Sequence, residues 1–313
     1  MELTVVEGTS NPPLAAAVRG ALGLSPAPSG LQRFPDGELQ VEITGNARGH
    51  DVYIVQGTHA PVGEHLMELL LYADAYRRAG ASRITVLAPY LGYVRQDRRS
   101  QGRESLGARL MADVLQAGRL DRLVTVDLHA PAVEGCFTVP VEHLTAVPLL
   151  AEAARPRDGG DAVVVSPDLG AVKLAERYAS VLNLPLAIVH KTRISGATVQ
   201  AHGVVGDVRG KGIILVDDMI STAGTVEAAV RAAIDEGARP GPTVVATHGL
   251  LVGAALERLA RLEAARVITS DSVPLPPGGD LVRLERPSLA PLLAETVRRL
   301  HEGKQLLDLV AHR

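Results

Sequence analysis

The chain has 313 residues, 46% hydrophobic and 21% charged, with a net charge of −3: material for two ordinary domains, and too little positive charge to hold a long nucleic acid. Its one cysteine, Cys136, excludes a disulfide framework and a multi-thiolate zinc site, and reads as a small core residue beside Phe137. The opening MELTVVEGTSNPP has no basic cluster ahead of an apolar run, and no stretch reaches the ~18 apolar residues of a membrane helix, so a cytoplasmic protein with no membrane partner is expected.

In chain order, LQRFPDGELQVEI alternates apolar and polar residues around Pro35-Asp36-Gly37, which predicts a hairpin. Short Val- and Ile-rich runs then recur: DVYIV (51–55), RITVLA (83–88), RLVTVD (122–127), AVVVS (162–166), LAIVH (186–190), GIILVD (212–217), TVVATH (243–248) and RVITS (266–270). Each is nearly continuous in apolar character, as strands covered on both faces should be. Helical stretches such as MELLLYADAYRRAG and TVEAAVRAAIDEG lie between them. In the latter, Val226, Ala229, Val230, Ala233 and Ile234 share one face, and Gly237 is the expected stop.

The order of elements occurs twice, on either side of a predicted surface loop, ARPRDGGD. The expected fold is α/β: two similar domains, residues 1–145 and 146–313, each a mainly parallel sheet flanked by helices, with an N-terminal hairpin on the first. The last helix is left open to pack back on the N-terminal domain. No G-x-G-x-x-G follows the first strand, which sets aside a dinucleotide-binding dehydrogenase.

The strongest chemical signal is GIILVDDMISTAGTVEAAV (212–230). A buried strand is expected to end in Asp217 and Asp218, and the loop Ser221-Thr222-Ala223-Gly224-Thr225 opens a helix. A helix N-terminus offers unpaired N–H groups and partial positive charge, and small residues let a phosphate approach it. Paired carboxylates can accept hydrogen bonds from two adjacent sugar hydroxyls. A sugar phosphate fits both. The bland alternative is an N-capping cluster beside solvated acids.

This segment resembles the ribose-phosphate motif of the type I phosphoribosyltransferases, a hydrophobic strand, two acids and a T-G-G-T-like loop. Here Ala223 replaces a glycine, and Ser221 stands where an acid is common. Alanine is tolerable if its φ is negative, so phosphate binding is expected to survive. RFPDGE (33–38), PYLGYVRQDRR (89–99), VDLHA (126–130), SPDLG (166–170) and HKTRIS (190–195) follow in an order similar to that of the ribose-phosphate diphosphokinases, or PRPP synthetases. The resemblance runs along nearly the whole chain. A phosphoribosyltransferase consuming PRPP would share the two acids and the loop, but neither RFPDGE nor RQDRR. A catalytically silent relative typically loses a catalytic or metal residue, and none is missing here.

The resemblance implies the following roles. Residues matching Arg95 and Gln96 contact ATP, although a polar burst there would otherwise read as a solvated loop. Residues matching Phe34, Asp36 and Glu38 reach the ATP of a neighbouring subunit, which implies a homo-oligomer; the alternative for Phe34 is a core residue of the hairpin. Residues matching His129 and Asp168 contact Mg²⁺, and His129 also lies on the ATP side. Lys191 and Arg193 match the catalytic pair, and the small residues around them predict a mobile loop. Asp217, Asp218 and residues 221–225 would hold ribose 5-phosphate. RRSQGRESLGARL is shorter than the matching segment of many hexameric, ADP-inhibited bacterial members and closer to archaeal-type members.

Overall fold

A computed structural model describes residues 1–99, 102–156, 160–193 and 199–311; for 191–193 and 199–202 the description is limited to the backbone. The chain divides into two units. One comprises Met1–Thr145, Ser272–Pro274 and Ser288–Arg313, the other Ala146–Asp271 and Leu275–Pro287.

The first unit runs β1 (Leu3–Glu7), α1 (Pro12–Ala21), β2 (Ser29–Arg33), β3 (Leu39–Ile43), β4 (Asp51–Val55), α2 (Val62–Arg78), β5 (Arg83–Leu87), α3 (Gly107–Ala117), β6 (Arg122–Val126) and β7 (Val141–Leu144). Strands β1-β4-β5-β6-β7 form one parallel sheet in that order. The β4 run is buried at every position, because helices cover both faces and only apolar or paired side chains survive there. Strands β2 and β3 pair antiparallel, from Ser29 opposite Ile43 to Arg33 opposite Leu39, as the alternation around Pro35-Asp36-Gly37 predicts. Asn11 caps α1 by accepting from the Leu14 N–H at 3.4 Å, ahead of two prolines whose missing donors cost nothing in the first turn.

The second unit runs α4 (Val147–Ala154), β8 (Ala162–Ser166), α5 (Val172–Leu182), β9 (Leu186–Arg193), β10 (Val199–Val205), β11 (Gly212–Ile220), α6 (Gly224–Asp235), β12 (Thr243–Gly249), α7 (Ala255–Arg261), β13 (Arg266–Thr269) and β14 (Leu284–Glu285). The sheet order is β10-β9-β8-β11-β12-β13-β14, parallel except for β9 with β10. Helix α6 buries Val226, Ala229, Val230 and Ala233, and it stops at Gly237, whose φ of 94° is open to glycine. Helix α8 (Ala290–Glu302) returns to the first unit and packs on α1.

Three expectations need correction. β9 does not stop at His190 but continues to Arg193, with Lys191 opposite Ala201 and Arg193 opposite Val199. The backbone at Lys191 and Arg193 is therefore ladder rather than loop; alternating Lys-Thr-Arg and Val-Gln-Ala suit an antiparallel edge pair that needs no continuous apolar run. Their side chains lie outside the described residues. Cys136 is half-buried rather than core, because it ends a short 3-10 turn, Pro131–Cys136, at the rim. Strands β1, β7, β10 and β14 were missed, since edge strands that are short or mix polar with apolar residues carry little periodic signal.

At the amino ends of the first sheet's strands, Asp51 is fully buried. It accepts from Arg83 Nε at 2.7 Å and from Arg83 Nη2, from His301 Nδ1 of α8 at 2.8 Å, and from the Tyr53 hydroxyl at 3.3 Å. Burial pushes its carboxyl up, but the bonds to Arg83 and His301 outweigh it and hold the group below the usual carboxylate value. The network joins α8 to the sheet at the end away from where open α/β sheets bind ligands. Asp51→Asn leaves a guanidinium and an imidazole without their carboxylate, and chemical denaturation should show a loss of about 3–5 kcal/mol. The contribution is complete above the ordinary carboxylate value of ~3.9 and fades as pH falls through the lower folded-state value, so the variant and parent should converge in acid.

Candidate functional site

In the second unit, β8 stops at Ser166, and its ladder with β11 ends where Val165 faces Leu215. β11 runs on past the acids, with Asp217 opposite Ala246, Met219 opposite His248 and Ile220 opposite Gly249 on β12. The expected strand end at the two acids is thus corrected: buried Met219 and Ile220 keep the chain extended. Asp217 and Asp218 lie beyond the end of β8, both only partly exposed, at the carboxyl end of a parallel sheet. The Asp218 N–H donates to Asp217 Oδ1 at 2.9 Å.

Burial pushes the Asp217 carboxyl well above the usual range, and the negative charges of Asp218 and then Asp168 push it further. Asp168 sits just past β8, where its Oδ1 accepts from the N–H groups of Gly170 at 2.9 Å and Ala171 at 3.3 Å. The folded chain therefore gathers three carboxyl groups where charge is expensive. Protons, sugar hydroxyls or a cation would relieve them.

The loop from Ser221 to Thr225 leads into α6, and Ala223 occupies its N-cap with φ 60° and ψ 11°. This overturns the expectation of a negative φ. The turn from β11 into α6 requires the left-handed region, which costs an L-residue about 1–2 kcal/mol. The Ala223 methyl is buried among Val226, Ala229 and their neighbours, and one buried methyl is worth about 0.8 kcal/mol, offsetting much of the strain. Gly224 and Thr225 begin the helix with their N–H groups at its positive end. Sequence reading missed Arg258. Its Nη1 donates to the Thr222 carbonyl at 2.7 Å and its Nε lies 3.5 Å from Glu227, so α7 holds the loop from behind. The partners are far apart in sequence, and a basic residue late in a helix reads as an ordinary dipole partner.

In the first unit, Phe34 at the hairpin tip is 37% exposed and is not a core residue of the hairpin. The Phe34 N–H donates to the Glu38 carbonyl at 2.8 Å, the Gly37 N–H to the Phe34 carbonyl at 2.9 Å, and the Glu38 N–H to Asp36 Oδ1 at 3.1 Å. Asp36 and Glu38 are exposed, and Arg33 pairs with Glu64 of α2. Beyond β5 the chain buries Leu91 and Val94, exposes Tyr93, and presents Arg95 with its side chain exposed. Gln96 turns toward α3: its Oε1 accepts from Ser105 Oγ at 3.2 Å, and a Cβ at Gly107 would come within 2.6 Å of that oxygen. His129 is exposed just past β6, after a buried Asp127 with φ 38°. The Leu128 N–H donates to His143 Nε2 at 2.8 Å, and His143 Nδ1 lies 2.7 Å from Glu134 Oε1. Glu134 and His143 carried no sequence signal of function. Among the described residues no group of three or more His, Cys, Asp or Glu is placed to enclose a metal ion, and no helix is long and apolar enough to cross a membrane.

A parallel sheet that delivers two acids beyond a short neighbouring strand, then turns through a small-residue loop onto a helix N-terminus, defines a phosphoribosyltransferase-type fold. Residues 148–269 match the phosphoribosyl transferase domain family, and residues 3–118 match the N-terminal domain of ribose phosphate pyrophosphokinase. A ribose-phosphate pyrophosphokinase of Caldanaerobacter subterraneus subsp. tengcongensis is 44% identical over 308 residues, 98% of this chain and 97% of that protein. One from Bacillus subtilis is 39% identical over 97% of this chain and 96% of its own length. The crystal structure of phosphoribosylpyrophosphate synthetase from Mycobacterium smegmatis superposes with a TM-score of 0.90 at 39% identity, covering 97% of this chain and all of that one. The chain belongs to the ribose-phosphate pyrophosphokinase family of enzymes.

The raised Asp217 carboxyl has a measurable consequence. Its folded-state value lies above the unfolded one, so the ionised group weakens the fold progressively as pH rises from the ordinary carboxylate value through the folded-state value. Asp217→Asn should therefore raise the melting temperature of the ligand-free protein by a few degrees near neutral pH, with a smaller gain in acid. Melting curves between pH 4 and 8 check this.

Proposed function

We propose that this chain transfers the terminal diphosphate of MgATP to the anomeric hydroxyl of ribose 5-phosphate. The observation that carries the reading is the pair Asp217 and Asp218 set beside the 221–225 loop at the N-terminus of α6. A pentose phosphate satisfies both, with its phosphate on the loop amides and hydroxyls and its vicinal diol on the acids. The phosphate also benefits from the helix end that Arg258 steadies through Thr222.

The anomeric oxygen attacks the β-phosphorus of ATP. The bond from that phosphorus to the oxygen bridging to the α-phosphorus breaks, AMP carries that oxygen away, and the hydroxyl proton passes to solvent. Such a transfer needs alignment and charge neutralisation more than a strong base. Phe34, at the hairpin tip, stacks on adenine of a neighbouring copy, with Asp36 and Glu38 beside the base, in a homo-oligomer. Arg95 brackets the phosphates with bidentate bonds, and Gln96 and His129 complete the nucleotide contacts. Lys191 and Arg193, two cations near the end of β9, stabilise the transferring group as its charge rearranges.

Mg²⁺ suits the residues present. The carboxyl groups of Asp168 and Asp217 are hard oxygen donors, and a cation would relieve the negative charge that raises the Asp217 carboxyl. Asp168 of the second unit and, separately, His129 of the first are the residues proposed to contact it, and when bound it would neutralise charge on the phosphate oxygens.

Incubation with MgATP and ribose 5-phosphate should release AMP in step with consumption of the sugar phosphate. Diphosphate release that instead needs PRPP and a nucleobase would reject the assignment in favour of a phosphoribosyltransferase. Lys191→Ala should lower kcat by roughly three orders of magnitude with an unchanged circular dichroism spectrum; near-normal turnover would remove Lys191 from its role.

A further inference from the structure

β6 and β7 pair in parallel up to Val126 opposite Leu144, and the Asp127 N–H adds one more bond to the Leu144 carbonyl at 3.0 Å. The chain then turns sharply, with Asp127 buried at a φ of 38°, a left-handed region that aspartate enters more readily than most L-residues. The next amide, Leu128 N–H, finds the ring of His143 where a backbone carbonyl would ordinarily serve, at 2.8 Å from Nε2. His129 leaves the turn immediately afterwards and is exposed.

The direction of these bonds follows from the groups themselves. A backbone amide only donates, so His143 Nε2 carries no proton, and the ring proton of the neutral imidazole sits on Nδ1. From there it points to Glu134 Oε1 at 2.7 Å, on the 3-10 turn Pro131–Cys136. The His143 side chain is only 4% exposed, so water does not readily replace either bond. Glu134 selects the tautomer, the tautomer makes His143 an acceptor, and the acceptor fixes the backbone one residue before His129. We infer that Glu134 and His143 are positioning residues, which set the direction in which His129 is presented to the nucleotide. The inference rests on the reading of His129 as a nucleotide-side residue.

The test uses the full chain and two replacements of similar bulk. His143→Leu fills the space without an acceptor, whereas His143→Gln can accept from Leu128 and donate to Glu134. A buried amide left without its partner should raise the KM for MgATP about tenfold in His143→Leu, with the KM for ribose 5-phosphate held within about twofold. His143→Gln should recover most of that loss. A merely structural role would lower the melting temperature of both variants and leave the ratio of the two KM values unmoved, which would overturn the inference. Should His143→Leu not fold, long-range proton–nitrogen correlation on the parent protein decides. An unprotonated His143 Nε2 with a protonated Nδ1 supports the chain of bonds, and the opposite tautomer or a charged ring overturns it. His129→Ala separates the two levels. If it leaves the KM for MgATP unchanged, the reading of His129 fails; if it raises that KM while His143→Leu does not, only the positioning role fails.

Discussion

The second unit is organised around a charge conflict. Asp217 and Asp218 are adjacent where β11 outruns β8, and burial with the charges of Asp218 and Asp168 makes the ionised state of Asp217 costly. A sequence selected for stability alone would place amides there. The conflict persists because the rest of the unit over-determines it: β12 pairs with the strand through Ile220, and the apolar face of α6 packs into the core behind the loop. In the proposed reading, a sugar with two adjacent hydroxyls and an accompanying cation would satisfy what the folded protein leaves unfavourable.

The loop from Ser221 to Thr225 follows the same logic on a smaller scale. Ala223 takes a left-handed backbone that glycine would enter without penalty, and its buried methyl recovers much of the cost. Arg258 meanwhile takes the Thr222 carbonyl at the outset of the turn. The loop is thus held by contacts on the side away from its helix-end amides. In the first unit the irregular segments have comparable supports: the hairpin tip has its own backbone bonds, Gln96 lies against the start of α3, and the Leu128 amide reaches His143. The Asp51 network serves a different purpose. It joins α8 to the amino ends of the strands, away from the carboxyl ends where open α/β sheets bind ligands.

Several elements were legible because the signal was local. Continuous Val and Ile runs mark strands covered on both faces, the alternation around Pro35-Asp36-Gly37 marks β2 and β3, and the small-residue run after Asp217-Asp218 marks the entry to α6. The ends of elements were less legible. Met219 and Ile220 continue β11 only because β12 offers a partner, and the Lys191–Arg193 backbone pairs only because 199–201 returns alongside. The backbone angle at Ala223 could not be read from its identity, since alanine prefers the other sign of φ.

The order of residues alone determined the α/β class, the hairpin, the motif of two acids and a loop, and the family that these strings resemble, because each depends on neighbours a few positions apart. Tertiary structure decided what depends on distant partners: the crowding of Asp168 with Asp217, the grip of Arg258 on Thr222, the joining of Asp51 to His301, and the tautomer of His143. Proton affinity and hydrogen-bond direction are set by groups that come together only when the chain has folded, so no local pattern can encode them.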